Sequence, residues 1–218
     1  MGKLNVLIGE YANKNPVRFH MPGHKGKLYT HDVTELFFTD NLYSPSREIN
    51  LIYELEDRIA KCFFKEAFVH SLISCSGATL CIQTAIYTLA RLKNDCEDLY
   101  IICDRASHIS FINVISLLNI TPLWVYPNED FTEKINYFAQ DKKTQDIIGV
   151  FVTSPDYFGR MKDIERISKE CKKYSFDLVV DNSHGPHLAF YKNGFMHSIL
   201  YSSNSIASSA CFFISASA

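Results

Sequence analysis

The sequence predicts an α/β protein, a mostly parallel sheet between helices preceded by a helical and extended N-terminal arm. Two observations carry this. From residue 68 onward, short runs rich in β-branched and aromatic residues alternate with segments of ten or more residues at helical spacing, which is the pattern of successive βαβ units. No internal repeat or low-complexity tract competes with that alternation.

In chain order, residues 3–14 read as a short amphipathic helix, stopped by "NPVRFHMPGHKG", whose two prolines and two glycines give an extended arm. Between Asn50 and Phe64 the apolar residues Leu51, Ile52, Leu55, Ile59, Ala60 and Phe63 keep helical spacing. "FVHSLIS" then reads as a strand and "GATLCIQTAIYTLARLK" as a helix opening on a glycine. "LYIICD" is a strand, "HISFINVISLLN" a helix, "PLWVYP" a strand and "FTEKINYFAQ" a helix. "IIGVFVTSP", "MKDIERISKECKKYS" and "FDLVVD" close the series as strand, helix and strand. Parallel strands joined this way need helices on both faces. Ligands of such sheets sit at the carboxyl ends of the strands, which brings "SCSGAT", "CDRASH", "TSPDYFG" and "DNSHGPH" to one rim.

Composition narrows the function classes. Hydrophobic residues make up 47% of the 218 and charged residues 21%, enough apolar material for one large core. With 22 Lys and Arg against 24 Asp and Glu, the chain lacks the basic footprint that a phosphate backbone requires, and nucleic acid is not an expected partner. Seven cysteines, Cys62, Cys75, Cys81, Cys96, Cys103, Cys171 and Cys211, form no CxxC pair. They read as reduced thiols of a cytoplasmic protein. No signal peptide or myristoylation pattern opens the sequence. After Lys192 no Asp, Glu, Lys or Arg follows, but eight serines between Phe195 and Ala218 make a membrane helix a poor reading.

At the rim, "SCSGATLCIQ" turns on Gly77 into a helix whose first amides suit a phosphate, although a Ser/Gly/Thr turn also serves as an ordinary cap. Asp181 ends an apolar run, where it either caps the next turn or holds a cationic ring nitrogen. His108 is either a polar rim residue or a partner lying over a planar ring. Asp181, His184 and His187 are residue types that suit zinc or iron, which leaves a metal-dependent hydrolase as an alternative. Gly185 and Pro186 between them enforce no common face, and Pro22 and Gly23 separate His20 from His24 in the same way.

Taken together, the segments resemble the Orn/Lys/Arg decarboxylases, enzymes dependent on pyridoxal 5'-phosphate with the aspartate-aminotransferase-like fold type I. The arm "RFHMPGHKG" is the most specific motif. "DVTEL", "DNLYSP", "ELEDRIAKCF", "SGATLCIQ", "IICDRASHISFINVI", "VTSPDYFGRMKDI" and "LVVDNSHGPHLAF" follow in family order over nearly the whole chain. The resemblance implies an arm over residues 1–49 and part of the cofactor-binding major domain over 50–218. It implies that Asp181 pairs with the pyridinium nitrogen, His108 stacks on the ring, Gly77, Ala78 and Thr79 hold the phosphate, and His184 lies near an amino-acid substrate. It also implies a homodimer, with the arm packed at the interface.

The same resemblance exposes a departure. The family continues to a Ser-x-His-Lys stretch whose lysine forms the Schiff base, and here the region reads "SIASSACFFISASA". In the preferred register Ser208 keeps the serine, Ala210 replaces the histidine and Cys211 takes the lysine position; a shifted register puts Ile206 there. Neither side chain can form that link. Lys25 belongs to the arm motif and is not promoted to catalyst. Arg47 and Lys65 stand near places where the family often has glycine. The expectation is an incomplete or degenerate decarboxylase domain, inactive alone, with a non-catalytic cofactor-binding member as the alternative.

Overall fold

In the computed structural model, the described residues are 6, 10, 13, 51–63, 71–74, 76–93, 98–141, 144–186 and 188. Their elements are α1 (Leu51–Phe63), α2 (Gly77–Arg91), β1 (Tyr100–Asp104), α3 (Ile109–Leu117), β2 (Thr121–Val125), α4 (Phe131–Asp141), a 3-10 turn (Thr144–Asp146), β3 (Ile147–Thr153), α5 (Ile164–Lys173) and β4 (Leu178–Asp181). Val6, Glu10 and Asn13 are helical, within the helix expected over 3–14. The rest of the arm, with His20, His24, Lys25 and Arg47, lies outside the described residues.

Two units divide the chain. The first contains residues 1–62 and 68–73. In it, α1 carries a buried Glu56 whose carboxylate accepts the Ile73 amide at 2.8 Å, while the Ser71 hydroxyl donates to the Glu56 carbonyl. This corrects one expectation. Residues 71–74 of "FVHSLIS" form no strand: the Ser71 hydroxyl and the Ile73 amide are taken up by Glu56 of α1, and Leu72 is 85% exposed.

The second unit holds the sheet. Its four strands run in the order β2-β1-β3-β4, every pairing parallel. The chain steps from β1 to β2 in one direction, then back past β1 to β3 and on to β4. Right-handed crossovers place α3 on one face and α4 and α5 on the other. The core divides the same way. Ile102, Val150, Val152, Leu178 and Val180 pack with Phe131, Ile135, Ile164, Ile167 and Cys171 of α4 and α5. Ile101, Cys103, Phe151 and Val179 pack with Ile82, Ile86 and Leu89 of α2 and Phe111, Val114 and Ile115 of α3. Strands covered on both faces explain the unbroken apolar runs of β3 and β4, whose residues are buried throughout.

Close approach fixes one glycine. The β1–β3 register slips between Tyr100 and Ile101, so Ile101 opposes Gly149. A Cβ at Gly149 would lie 2.7 Å from the Asp177 carbonyl and 3.1 Å from Leu89 Cδ1. That carbonyl accepts the Val150 amide at 2.8 Å where β4 begins.

Local caps set the helix starts. The Asp163 carboxylate accepts the Arg166 amide at the start of α5, and Asp130 Oδ1 accepts the Thr132 and Glu133 amides at the start of α4. No helix among the described residues is long and apolar enough to cross a membrane.

Candidate cofactor site

The sheet order reverses between β1 and β3, and ligands of open α/β sheets lie outside the carboxyl ends of the strands at such a reversal. Asp181 and Thr153 sit at that edge. They are register partners at the ends of β4 and β3, so their side chains leave the sheet on the same face. Strand alternation gives that face: Val179 and Phe151, two residues earlier, belong to the core under α2 and α3.

The start of α2 lies at the same rim. Leu89 packs beside Gly149 near the beginning of β3, while Ile86 and Ile82 stay buried in the same core. The helix therefore runs back over the sheet toward the strand ends. Its rise carries Gly77 about 18 Å from Leu89, past a strand that advances about 13 Å from Gly149 to Thr153. Gly77 has φ +69°, and a Cβ there would meet nothing within 4 Å. Its backbone conformation demands glycine, and the space in front of it is open. Ser76 makes no side-chain cap to α2, Ala78 is half-buried and Thr79 exposed.

Asp181 is buried, and its Oδ1 accepts the Ser183 amide at 3.1 Å and the Ser183 hydroxyl at 2.6 Å. The turn-capping role is thus filled by a buried carboxyl group. Thr153 is buried as well, and among the described residues its Oγ1 has no hydrogen-bond partner.

His108 is the N-cap of α3: Nδ1 accepts the Ser110 amide at 3.2 Å and lies 2.8 Å from Ser110 Oγ. The ring is exposed at the rim with one nitrogen already engaged. His184 is exposed on the turn after Asn182, so it and Asp181 differ sharply in surroundings. Among the described residues no three His, Cys, Asp or Glu side chains converge for a metal ion. The His187 side chain, Ser208 and Cys211 lie outside the described residues.

Two features escaped sequence reasoning. Asp104 ends β1 as Asp181 ends β4, yet it shares the face of Ile102, under α4 and α5. Its Oδ1 accepts the Ala106 amide, and Oδ2 forms an ion pair with Lys162 Nζ at 3.1 Å without a directed hydrogen bond. The second is the 154–162 loop. Asp156 Oδ1 accepts the Phe158 and Arg160 amides, the Asp156 amide donates to the Arg160 carbonyl, and Ser154 Oγ accepts the Lys162 amide. Tyr157 and Phe158 are 81% and 72% exposed on this tied loop. Only the Asp-x-x-Gly pattern of Asp156 and Gly159 signalled such a turn.

Burial, then the neighbouring Asp104 charge, pushes the Cys103 thiol far above its ordinary range, and burial raises Cys81.

Comparison with known proteins gives the family and the fold. An arginine decarboxylase of Halalkalibacterium halodurans is 26% identical over 200 residues, a match covering 84% of this chain and 39% of the relative. An arginine decarboxylase of Bacillus cereus is 25% identical over 209 residues, covering 86% of this chain and 43% of the relative. The chain therefore spans about two fifths of the length of these curated relatives. Mouse CSAD in apo form superposes with a TM-score of 0.55 at 15% identity, over 68% of this chain and 36% of that one. That likeness carries the fold, the α/β arrangement of fold-type-I enzymes. A family model described as Orn/Lys/Arg decarboxylase, major domain, matches residues 4–211, and the cofactor of that family is pyridoxal 5'-phosphate. With nearly its whole length matched, this chain belongs to the Orn/Lys/Arg decarboxylase major-domain family.

Proposed function

We propose that the chain holds pyridoxal 5'-phosphate at this rim as a member of the basic amino-acid decarboxylases, without a covalent link and without turnover of its own. One juxtaposition supports the reading: buried Asp181 shares a face and a rim with the open, glycine-started N-terminus of α2. A buried carboxylate fits a cationic ring, and the unpaired first amides of a helix fit a phosphate.

In a relative that keeps the lysine, the cofactor would supply an electron-accepting ring to the bond that loses carbon dioxide; here the residues at the rim would only hold it. Asp181 keeps a proton on the ring nitrogen, since its negative charge favours the cationic form. The amides at Gly77, Ala78 and Thr79 orient the phosphate. His108, fixed by its cap to Ser110, lays its ring at the edge of the site. His184, exposed beside Asp181 in sequence, faces an arriving amino acid.

In the register adopted, Cys211 stands where a lysine amine would attach the cofactor, and its thiol does not replace that amine. The relatives named arginine decarboxylase favour a basic amino acid as the ligand class. We place the protein in the cytoplasm, in keeping with cysteines that form no CxxC pair. Residues 50–218 form the major-domain portion and 1–49 the arm.

The test is a titration of the purified chain with pyridoxal phosphate, read by absorbance and fluorescence, followed by dialysis and by assay of carbon dioxide from ornithine, lysine and arginine. Saturable binding that dialysis removes, with no release above free cofactor, is expected. A chromophore surviving gel filtration, or release well above the free cofactor, overturns the proposal.

A further inference from the structure

We propose that Thr153 is a cofactor-binding residue, its hydroxyl hydrogen-bonding the 3-oxygen of the pyridoxal ring while Asp181 holds the ring nitrogen. This rests on the reading above. Thr153 is 4% exposed, and among the described residues its Oγ1 has no partner. A buried hydroxyl left unsatisfied costs stability, and native structures keep few of them without a reason. The orphan also stands where a ligand is expected. Thr153 and Asp181 are register partners on the α2/α3 face, so their side chains project side by side from strands about 4.8 Å apart. The nitrogen and the 3-oxygen of the pyridoxal ring are separated by two ring carbons, a span of the same order. A ring seated on Asp181 with its phosphate at the start of α2 thus has a polar edge to offer β3.

Two neighbouring groups are engaged within the 154–162 loop. The Ser154 hydroxyl accepts the Lys162 amide at 3.0 Å, and Asp156 Oδ1 is occupied by the Phe158 and Arg160 amides. Thr153 alone among these three loop-side residues has a buried polar atom without a partner.

The experiment compares the full chain with Thr153→Val and Thr153→Ser, using pyridoxal phosphate and its 3-deoxy analogue as probes, with melting of each ligand-free protein. Valine matches threonine in shape, so removing an orphan hydroxyl should leave the ligand-free melting temperature unchanged or raised. The same change should weaken pyridoxal phosphate about tenfold, the loss expected for one hydrogen bond. Thr153→Ser should restore the affinity, and the 3-deoxy analogue should bind wild type and Thr153→Val alike. A role limited to packing would move both probes together and leave no such difference. Equal binding of pyridoxal phosphate by wild type and Thr153→Val overturns this inference while the cofactor site stands. No binding by the wild-type chain removes the site itself, and this contact with it.

Discussion

Lys162 Nζ stands 3.1 Å from Asp104 Oδ2, tying the end of β1 to the segment that leads into α5. The Asp104 side chain is 1% exposed and that of Lys162 20%. Removing the lysine strands a buried carboxylate. Lys162→Met should therefore cost about 2–3 kcal/mol in denaturant unfolding, near the low end for buried pairs because the lysine keeps some solvent. Adding Asp104→Asn should recover much of it. Because the pair lies on the α4/α5 face, affinity for pyridoxal phosphate should not change with either substitution. A parallel loss of affinity would place Asp104 in the site.

Asp181 is expected to behave in the opposite way. Asp181→Ala should reduce binding of pyridoxal phosphate by more than a hundredfold, since breaking a buried charge pair costs ~3–5 kcal/mol. His187→Ala should change it little. Fluorescence titration of both variants decides, and equal losses or rescue by zinc would restore the metal reading.

Two of the three glycines with positive φ among the described residues, Gly77 and Gly149, are expected to fail differently. Gly77→Ala meets no atoms within 4 Å but keeps φ +69°, so about 1 kcal/mol of stability should be lost to backbone strain. Gly149→Ala meets the Asp177 carbonyl at 2.7 Å and should cost more, about 2–3 kcal/mol. Chemical denaturation of the two variants should rank them in that order.

Acid should weaken the α4 cap. The Thr132 hydroxyl first, then the Glu133 amide and the Arg166 guanidinium, hold the Asp130 carboxyl below the ordinary carboxylate range. A lowered folded-state pKa contributes stability that is present above the unfolded value and lost as pH falls through the folded one. Asp130→Asn still caps but does not titrate. Its stability deficit against wild type should be constant above about pH 5 and shrink below about pH 4. A deficit unchanged down to pH 2 would detach the cap from this charge.

Assembly provides a further check. The arm "RFHMPGHKG" carries Phe19, Met21 and Pro22, and we expect these apolar residues to pack against a second copy of the chain. Light scattering over a dilution series should report a homodimer, and deletion through Gly26 should lower its mass and melting temperature. A monomer indifferent to the deletion would refute this.

The parallel sheet was legible because its strands are buried on both faces, which writes them as unbroken runs such as Ile147–Thr153. The segment 71–74 misled for a physical reason. Apolar content at Leu72 and Ile73 looks strand-like, but the partner of the Ile73 amide is a glutamate carboxylate instead of a neighbouring strand. At the site, Asp181 and the Gly77 turn were readable from strand ends and turn chemistry. Distinguishing Asp181 from Asp104 was not, because both close apolar strands and only the sheet register reveals which face each takes. Thr153 was invisible for a related reason. A threonine in a strand is ordinary, and its missing partner is a property of the packed state.

Exposure and susceptibility part company at the 154–162 loop. Tyr157 and Phe158 present the side chains a chymotrypsin-like protease selects, but proteases require several residues of extended backbone, and here Asp156 and Ser154 bind the chain into a closed turn. Cleavage at these aromatics must wait for the turn to open. The rate of nicking there is consequently a clock for local unfolding beside the rim, readable on a gel.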